Sequence, residues 1–98
     1  MSISSPWVRL NSNGVASVPN KEGVYELADN ARTRIYIRRS NDLNRRLHDH
    51  QNTTDACLRA AESFRYELTS SSERRERELL DEFYQQFRRY PRCNDRRG

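Results

Sequence analysis

Two short β-forming runs, GVYELA at 23–28 and RIYIRR at 34–39, are separated only by a polar stretch containing Asp, Asn and Thr. Runs this close, bounded by turn-forming residues, pair as an antiparallel hairpin. Side chains alternate across a strand, so Tyr25 shares a face with Leu27. On the same reasoning Tyr36 shares a face with Arg34 and Arg38, opposite Ile35 and Ile37. A hairpin alone is only marginally stable in water, so the rest of the chain must supply further strands or covering helices. FRYEL at 64–68 alternates again and is expected to be a third strand.

The helical segments follow from period and end signals. Ser40 is the expected N-cap of a helix reaching about His50, with Asn41 and Asp42 in its first turn and Leu43 and Leu47 on its buried stripe. QNTTD is a loop, and ACLRAA at 56–61 is expected to be a short helix. The longest helix spans about 72–88, begun by Ser70 with Glu73 or by Ser72 alone. Leu79, Leu80, Phe83 and Phe87 form its apolar stripe, Tyr90-Pro91 ends it, and PRCNDRRG is a short basic tail. Residues 1–22 form an extension or lead-in, in which WVRL either adds an edge strand or tucks Trp7 onto the core. Residues 23–98 then make one small α+β domain: a three-stranded antiparallel sheet flanked by helices, in the order β-β-α-(α)-β-α.

Composition limits the core and points to partners. Hydrophobic residues make up 34% of the chain, charged residues 33%, and the mean hydropathy is −1.14, so the core must be small. The periodic grouping of the apolar residues argues against a wholly disordered chain. Net charge is +4, and of 18 basic residues only Lys21 is lysine. Arg offers a planar fork that matches phosphate oxygens, which favours a nucleic-acid partner; a codon bias toward Arg would give the same composition. Two cysteines, Cys57 and Cys93, are too few for a disulfide framework, and free, mostly buried thiols in a reducing compartment are expected. With no apolar run long enough for a membrane span and no signal-peptide pattern, the expected location is cytoplasmic, with no membrane partner.

Three groups carry candidate chemistry, each with a plainer alternative. Glu76 precedes Leu79, Leu80 and Phe83 at +3, +4 and +7, which turns it inward; there it must be paired or hold a metal, or else it sits in the first helical turn near solvent. Arg46 and His50 stand at i, i+4 beside the Leu43/Leu47 stripe, aimed along the sheet edge or forming a solvated face. Tyr25 and Tyr36 are either cross-strand packing or phenols placed to act on phosphate. Structural zinc is disfavoured, because His48 and His50 diverge on a helix and there is no CxxC pair. There is no Gly-rich phosphate loop and no Ser/His/Asp spacing to pursue.

Taken in order, these pieces resemble the GIY-YIG nuclease family. Gly23-Val24-Tyr25 looks like its first signature triplet and Tyr36-Ile37-Arg38 stands at the second. Arg39-Ser40-Asn41-Asp42-Leu43, then Arg46-Leu47 and His50, follow its helix pattern, Glu76 with Leu79-Leu80 looks like its metal-binding glutamate, and Pro91 and Asn94 resemble its closing residues. The match covers about 23–98. The resemblance implies a metal-dependent endonuclease hydrolysing DNA phosphodiester bonds, with DNA ranked ahead of RNA as substrate and RNA left open. Glu76 would hold one Mg²⁺ or Mn²⁺, and Tyr25 would help deprotonate water. Arg46 would stabilise the charged transition state, with Tyr36 and His50 binding or orienting phosphate. Arg34, Arg38, Arg39 and Asn94 would contact or position the nucleic acid. The departure is Arg38, which stands where the family has Gly; it either adds a phosphate contact or blocks the scissile phosphate and leaves a nucleic-acid-binding module. Specificity would come from a protein partner or from substrate shape.

Overall fold

The structure, a computed structural model, describes residues 2–95. Its elements are β1 (Val8–Arg9), α1 (Ser12–Ala16), β2 (Gly23–Ala28), β3 (Arg34–Ser40), α2 (Leu43–Gln51), a 3₁₀ turn (Leu58–Ala60), β4 (Ser63–Leu68) and α3 (Ser72–Phe87). All pairings are antiparallel in the order β1-β4-β2-β3. The expected hairpin and third strand are present, and the α+β architecture is the expected one. The sheet has a fourth strand, because WVRL adds β1 to the outer edge of β4. Trp7 also packs, with the Arg65 guanidinium 4.4 Å from its ring centre.

Every residue of β2 is buried, since the strand lies mid-sheet with both faces covered. On one face Tyr25, Leu27, Ile35, Tyr36 and Phe64 pack with Leu43 and Leu47 of α2, together with Val15, Val18, Leu58 and Cys93. On the other, Val24 and Ile37 pack against Leu79 and Phe83 of α3 and against Ile3. Residues 3, 15 and 18 are thus part of the core. Gly23 is required by close approach: a Cβ there would lie 2.2 Å from the Glu67 carbonyl oxygen and 2.8 Å from Leu43 Cδ1.

Four local expectations are corrected. A register shift between Leu27 and Ala28 breaks the simple alternation in β3. Arg34 therefore faces α3, 5.1 Å from the Phe83 ring centre, while Ile35 joins the cluster that contains Tyr36. The cap of α2 is Asp42, whose carboxylate accepts from Arg45 N–H at 3.1 Å, and Ser40 ends β3 with its Oγ accepting from Asp42 N–H. ACLRAA forms only a single 3₁₀ turn, whereas Phe87 stays on its stripe at the helix end, 44% exposed with its ring centre 4.6 Å from that of Phe83. Finally, Cys57 and Cys93 are joined in a disulfide, with Cα atoms 5.8 Å apart, and are not free thiols. The thiols had supported a reducing compartment, and the bond removes that support. Spacing could not reveal it, because the two residues meet only when the segment after α3 returns along the sheet, with Cys93 N–H donating to the Ile35 carbonyl at 2.9 Å. The basic tail expected over 91–98 continues past Asp95 outside the described residues.

Among the described residues no helix is long and apolar enough to cross a membrane.

Candidate active site

Tyr25 lies mid-strand in β2, and His50 lies in the last turn of α2 with Leu47 one turn ahead to hold the helix on the sheet. The Tyr25 hydroxyl and His50 Nε2 are 2.7 Å apart, and both residues are buried. Tyr36 completes the group, its ring centre 6.2 Å from Tyr25 and 5.1 Å from His50, edge-on to the imidazole. Burial and then the Arg46 charge lower the His50 pKa to about 4, with Asp49 opposing. His50 is therefore neutral at neutral pH, and with its proton assigned to Nδ1, Nε2 accepts from the phenol. Burial, then the neighbouring Tyr36, hold the Tyr25 phenol well above its ordinary pKa, against the guanidiniums of Arg46 and Arg38. At neutral pH this pair is thus a protonated phenol bonded to a neutral imidazole.

β3 is the edge strand beside α3, and besides the Cys93 N–H on the Ile35 carbonyl two side chains bond its outward-facing backbone groups. Glu76, one turn into α3, accepts the Arg39 N–H on Oε2 at 2.9 Å. Asn94 bridges Ile37, accepting its N–H on Oδ1 at 2.8 Å and donating Nδ2 to its carbonyl at 3.0 Å. Between them Arg38 turns to the tyrosine face, its guanidinium 5.4 Å from the Tyr36 ring centre and donating to the Asn94 carbonyl. A peptide-edge contact of this kind fixes Glu76 and Asn94 relative to β3, and the disulfide one residue before Asn94 tethers the segment that carries it.

Tyr25, Tyr36, Arg38, Arg46 and His50 come together on one face, with Glu76 and Asn94 along the adjoining strand edge. Arg34 does not join them: it lies on the α3 face, bonded to Glu26 at 3.4 Å. The Arg39 side chain is held by Ser72 Oγ at 3.0 Å and Asn41 Oδ1 at 3.1 Å, so only its backbone N–H meets Glu76. Glu26, which alternation placed opposite Tyr25, is fully buried and held by Arg65 Nε at 2.6 Å and by Arg34. It is a structural ion-pair cluster within the sheet, joining β2 to β3 and β4 on the face that α3 covers.

Sequence reasoning left out Tyr90. Together with Glu73, Glu76, Arg77, Leu80 and Asp81 it lines an open groove, and with Leu80, Pro91, Arg92, Asn94 and Asp95 a second one. Its signal was an aromatic residue in a stretch, 83–94, that contains three arginines and no acid. Among the described residues no three His, Cys, Asp or Glu side chains form a metal cluster. A cation at this site would rest on the single Glu76 carboxylate plus waters and substrate oxygens, which suits a hard divalent ion such as Mg²⁺. Glu76 accepts the Arg39 N–H on Oε2 and its side chain lines an open groove, so the residue fits that part.

The fold is similar to solved structures of the GIY-YIG N-terminal endonuclease domain of UvrC from Thermotoga maritima. The form bound to its catalytic divalent cation, magnesium, matches with a TM-score of 0.59 at 21% identity, covering 84% of this chain and 92% of that one. A tyrosine-to-phenylalanine mutant bound to its catalytic divalent cation matches with a TM-score of 0.60 at 22% identity, covering 86% and 93%. The likeness is one of fold, and the expectation of a GIY-YIG-like architecture is met. No curated protein matches the sequence. The profile of a family described as a domain of unknown function (DUF7508) matches residues 1–86, and the chain belongs to that family.

Proposed function

We propose that this domain is a divalent-metal-dependent endonuclease that hydrolyses DNA phosphodiester bonds. The observation that carries the reading is the Tyr25–His50 hydrogen bond at 2.7 Å, set among Tyr36, Arg38 and Arg46 on a fold shared with metal-bound nuclease domains. A phenol bonded to a neutral imidazole can take a proton from water while passing its own to Nε2, which removes the need for a free phenolate. Tyr25 therefore serves as the base and His50 as the final proton acceptor. Arg46 is the fixed cation for charge that develops on the phosphoryl oxygens, and Tyr36 orients that group. Asn94 holds the edge of β3 against Glu76, a positioning role. Glu76 would hold Mg²⁺ or Mn²⁺, which when bound polarises the phosphoryl group and stabilises the leaving oxygen.

One observation favours a second reading, a nucleic-acid-binding module without cleavage. Arg38 lies over Tyr36 and is bonded to the Asn94 carbonyl, and the Tyr25 phenol beneath is fully buried. Catalysis requires this guanidinium to swing off the ring and engage phosphate; if it stays, the domain binds DNA and does not cut it.

The test is nicking of supercoiled and branched DNA with Mg²⁺, Mn²⁺ or EDTA, using wild type, Glu76→Ala and Arg38→Gly. Metal-dependent nicking by wild type that Glu76→Ala abolishes is the expected result. Nicking by Arg38→Gly alone would establish the binding-only state of the natural chain. No cleavage by wild type or Arg38→Gly in any metal would sink the nuclease reading.

A further inference from the structure

The C-terminal end of α3 carries an aromatic surface that the proposed chemistry does not use. Tyr84 and Tyr90 are 41% and 54% exposed, and their rings pack on each other with centres 5.0 Å apart. Phe87 is 44% exposed, and Arg89 stands 5.7 Å from its ring centre. Exposed large aromatics grouped this way, here with the Tyr84 and Tyr90 rings tilted 40° to each other, mark an interaction surface, whereas apolar residues scattered singly do not.

The backbone explains their placement. Arg88 ends α3 in the left-handed conformation, φ 58°, so the chain reverses and Tyr90 folds back beside Leu80 and Tyr84. Tyr90 thereby stands between two grooves. One, of about 290 Å³, holds Glu76 with Glu73, Arg77 and Asp81. The other, of about 490 Å³, holds Asn94 with Arg92 and Asp95. Charge is uneven along this surface: Glu73, Glu76 and Asp81 gather in the first groove, whereas residues 83–94 contain Arg88, Arg89 and Arg92, the last paired with Asp29, and the nearest acid beyond them is Asp95. A phosphate chain approaching Glu76 from the C-terminal end of α3 thus runs past arginines and beside exposed tyrosine rings. Duplex DNA keeps its bases stacked inside and offers these rings nothing; an unpaired base offers a π-face.

We infer that Tyr90, backed by Tyr84, is a stacking platform for an unpaired base next to the Glu76 groove, and that the domain selects DNA with unpaired nucleotides beside the phosphate it handles. This rests on the nuclease reading only for what happens to that phosphate; the platform itself is a binding surface and is tested without cleavage.

The experiment measures anisotropy of a fluorescein-labelled, roughly 12-nucleotide oligo-dT and of a duplex of similar length, in EDTA, in the Glu76→Ala background. Added Tyr90→Ala should weaken oligo-dT binding at least about 5-fold, with duplex binding changed less than about 2-fold, and Tyr90→Phe should restore the oligo-dT affinity, because stacking needs the ring and not the hydroxyl. Tyr84→Ala should give a smaller loss in the same direction. Both positions are exposed, and a circular dichroism spectrum confirms that the variants fold. Equal losses for oligo-dT and duplex would show a purely electrostatic contact and overturn the platform. Unchanged oligo-dT binding in both alanine variants would overturn it too, and would leave the tyrosines to a protein partner. If wild type fails to cleave DNA yet the selective loss is seen, the nuclease reading falls and the platform stands.

Discussion

His50 makes the domain acid-labile in a way that can be calculated. Its imidazole is 2% exposed, bonded to Tyr25 through Nε2, with Nδ1 lacking a hydrogen-bond partner. The groups facing it are Tyr25, Tyr36, Arg46 and Asp49. In the unfolded chain it takes up a proton near pH 6.5, whereas burial and Arg46 postpone this to about 4 in the folded state. The unfolded state therefore binds more protons between these values, so stability rises with pH across the window. Above 6.5 the full stability is present; as pH falls it is lost, and the loss levels off once the folded ring also protonates. At about 1.4 kcal/mol for each pH unit the window is worth roughly 3 kcal/mol. Urea unfolding of wild type and His50→Gln between pH 7 and pH 4 isolates the contribution, because every carboxylate is common to both proteins. The wild type should lose roughly 3 kcal/mol more than the variant over this range. An NMR titration that finds the His50 ring protonating near pH 6, or equal acid losses in the two proteins, would refute the account.

Three further outcomes are expected. Gly23→Ala drives a methyl group into the Glu67 carbonyl of β4 and Leu43 of α2, and urea unfolding should show a loss of about 1–3 kcal/mol. Glu26→Ala leaves Arg65 and Arg34 without their shared buried carboxylate and should cost about 3 kcal/mol or more by the same assay, whereas an equal loss of under ~1 kcal/mol would show that the pair contributes little. The Cys57→Ser/Cys93→Ser double variant removes a link across a sequence separation of 36, worth about 4 kcal/mol of chain entropy. It should also speed hydrogen exchange at the Ile37 amide, because the tether that holds Asn94 against β3 is gone.

Much of the architecture could be read from local pattern. Alternation in GVYELA, RIYIRR and FRYEL defined three strands, and the spacing of Leu43 with Leu47 and of Leu79 with Phe83 defined the buried stripes of α2 and α3, because strand and helix periods are properties of neighbouring residues. The same locality put Arg46 and His50 on one helix flank and turned Glu76 inward. Where local rules failed, a long-range contact decided. The bulge opposite Ala28 sent Arg34 to Glu26 and Phe83 and brought Ile35 over to Tyr36, a change set by cross-strand register. Asp42 displaced Ser40 as the α2 cap, since the strand continues through Ser40 to pair with Gly23. The disulfide, the Asn94 bridge to Ile37, the seat of Arg38 over Tyr36 and the return of Tyr90 onto α3 all depend on where the chain goes after Phe87. Sequence by itself determined which residues could be strand, helix, base or cation ligand; only the tertiary structure decided which of them meet, because contacts between distant segments are set by packing of whole elements and not by the residues beside them.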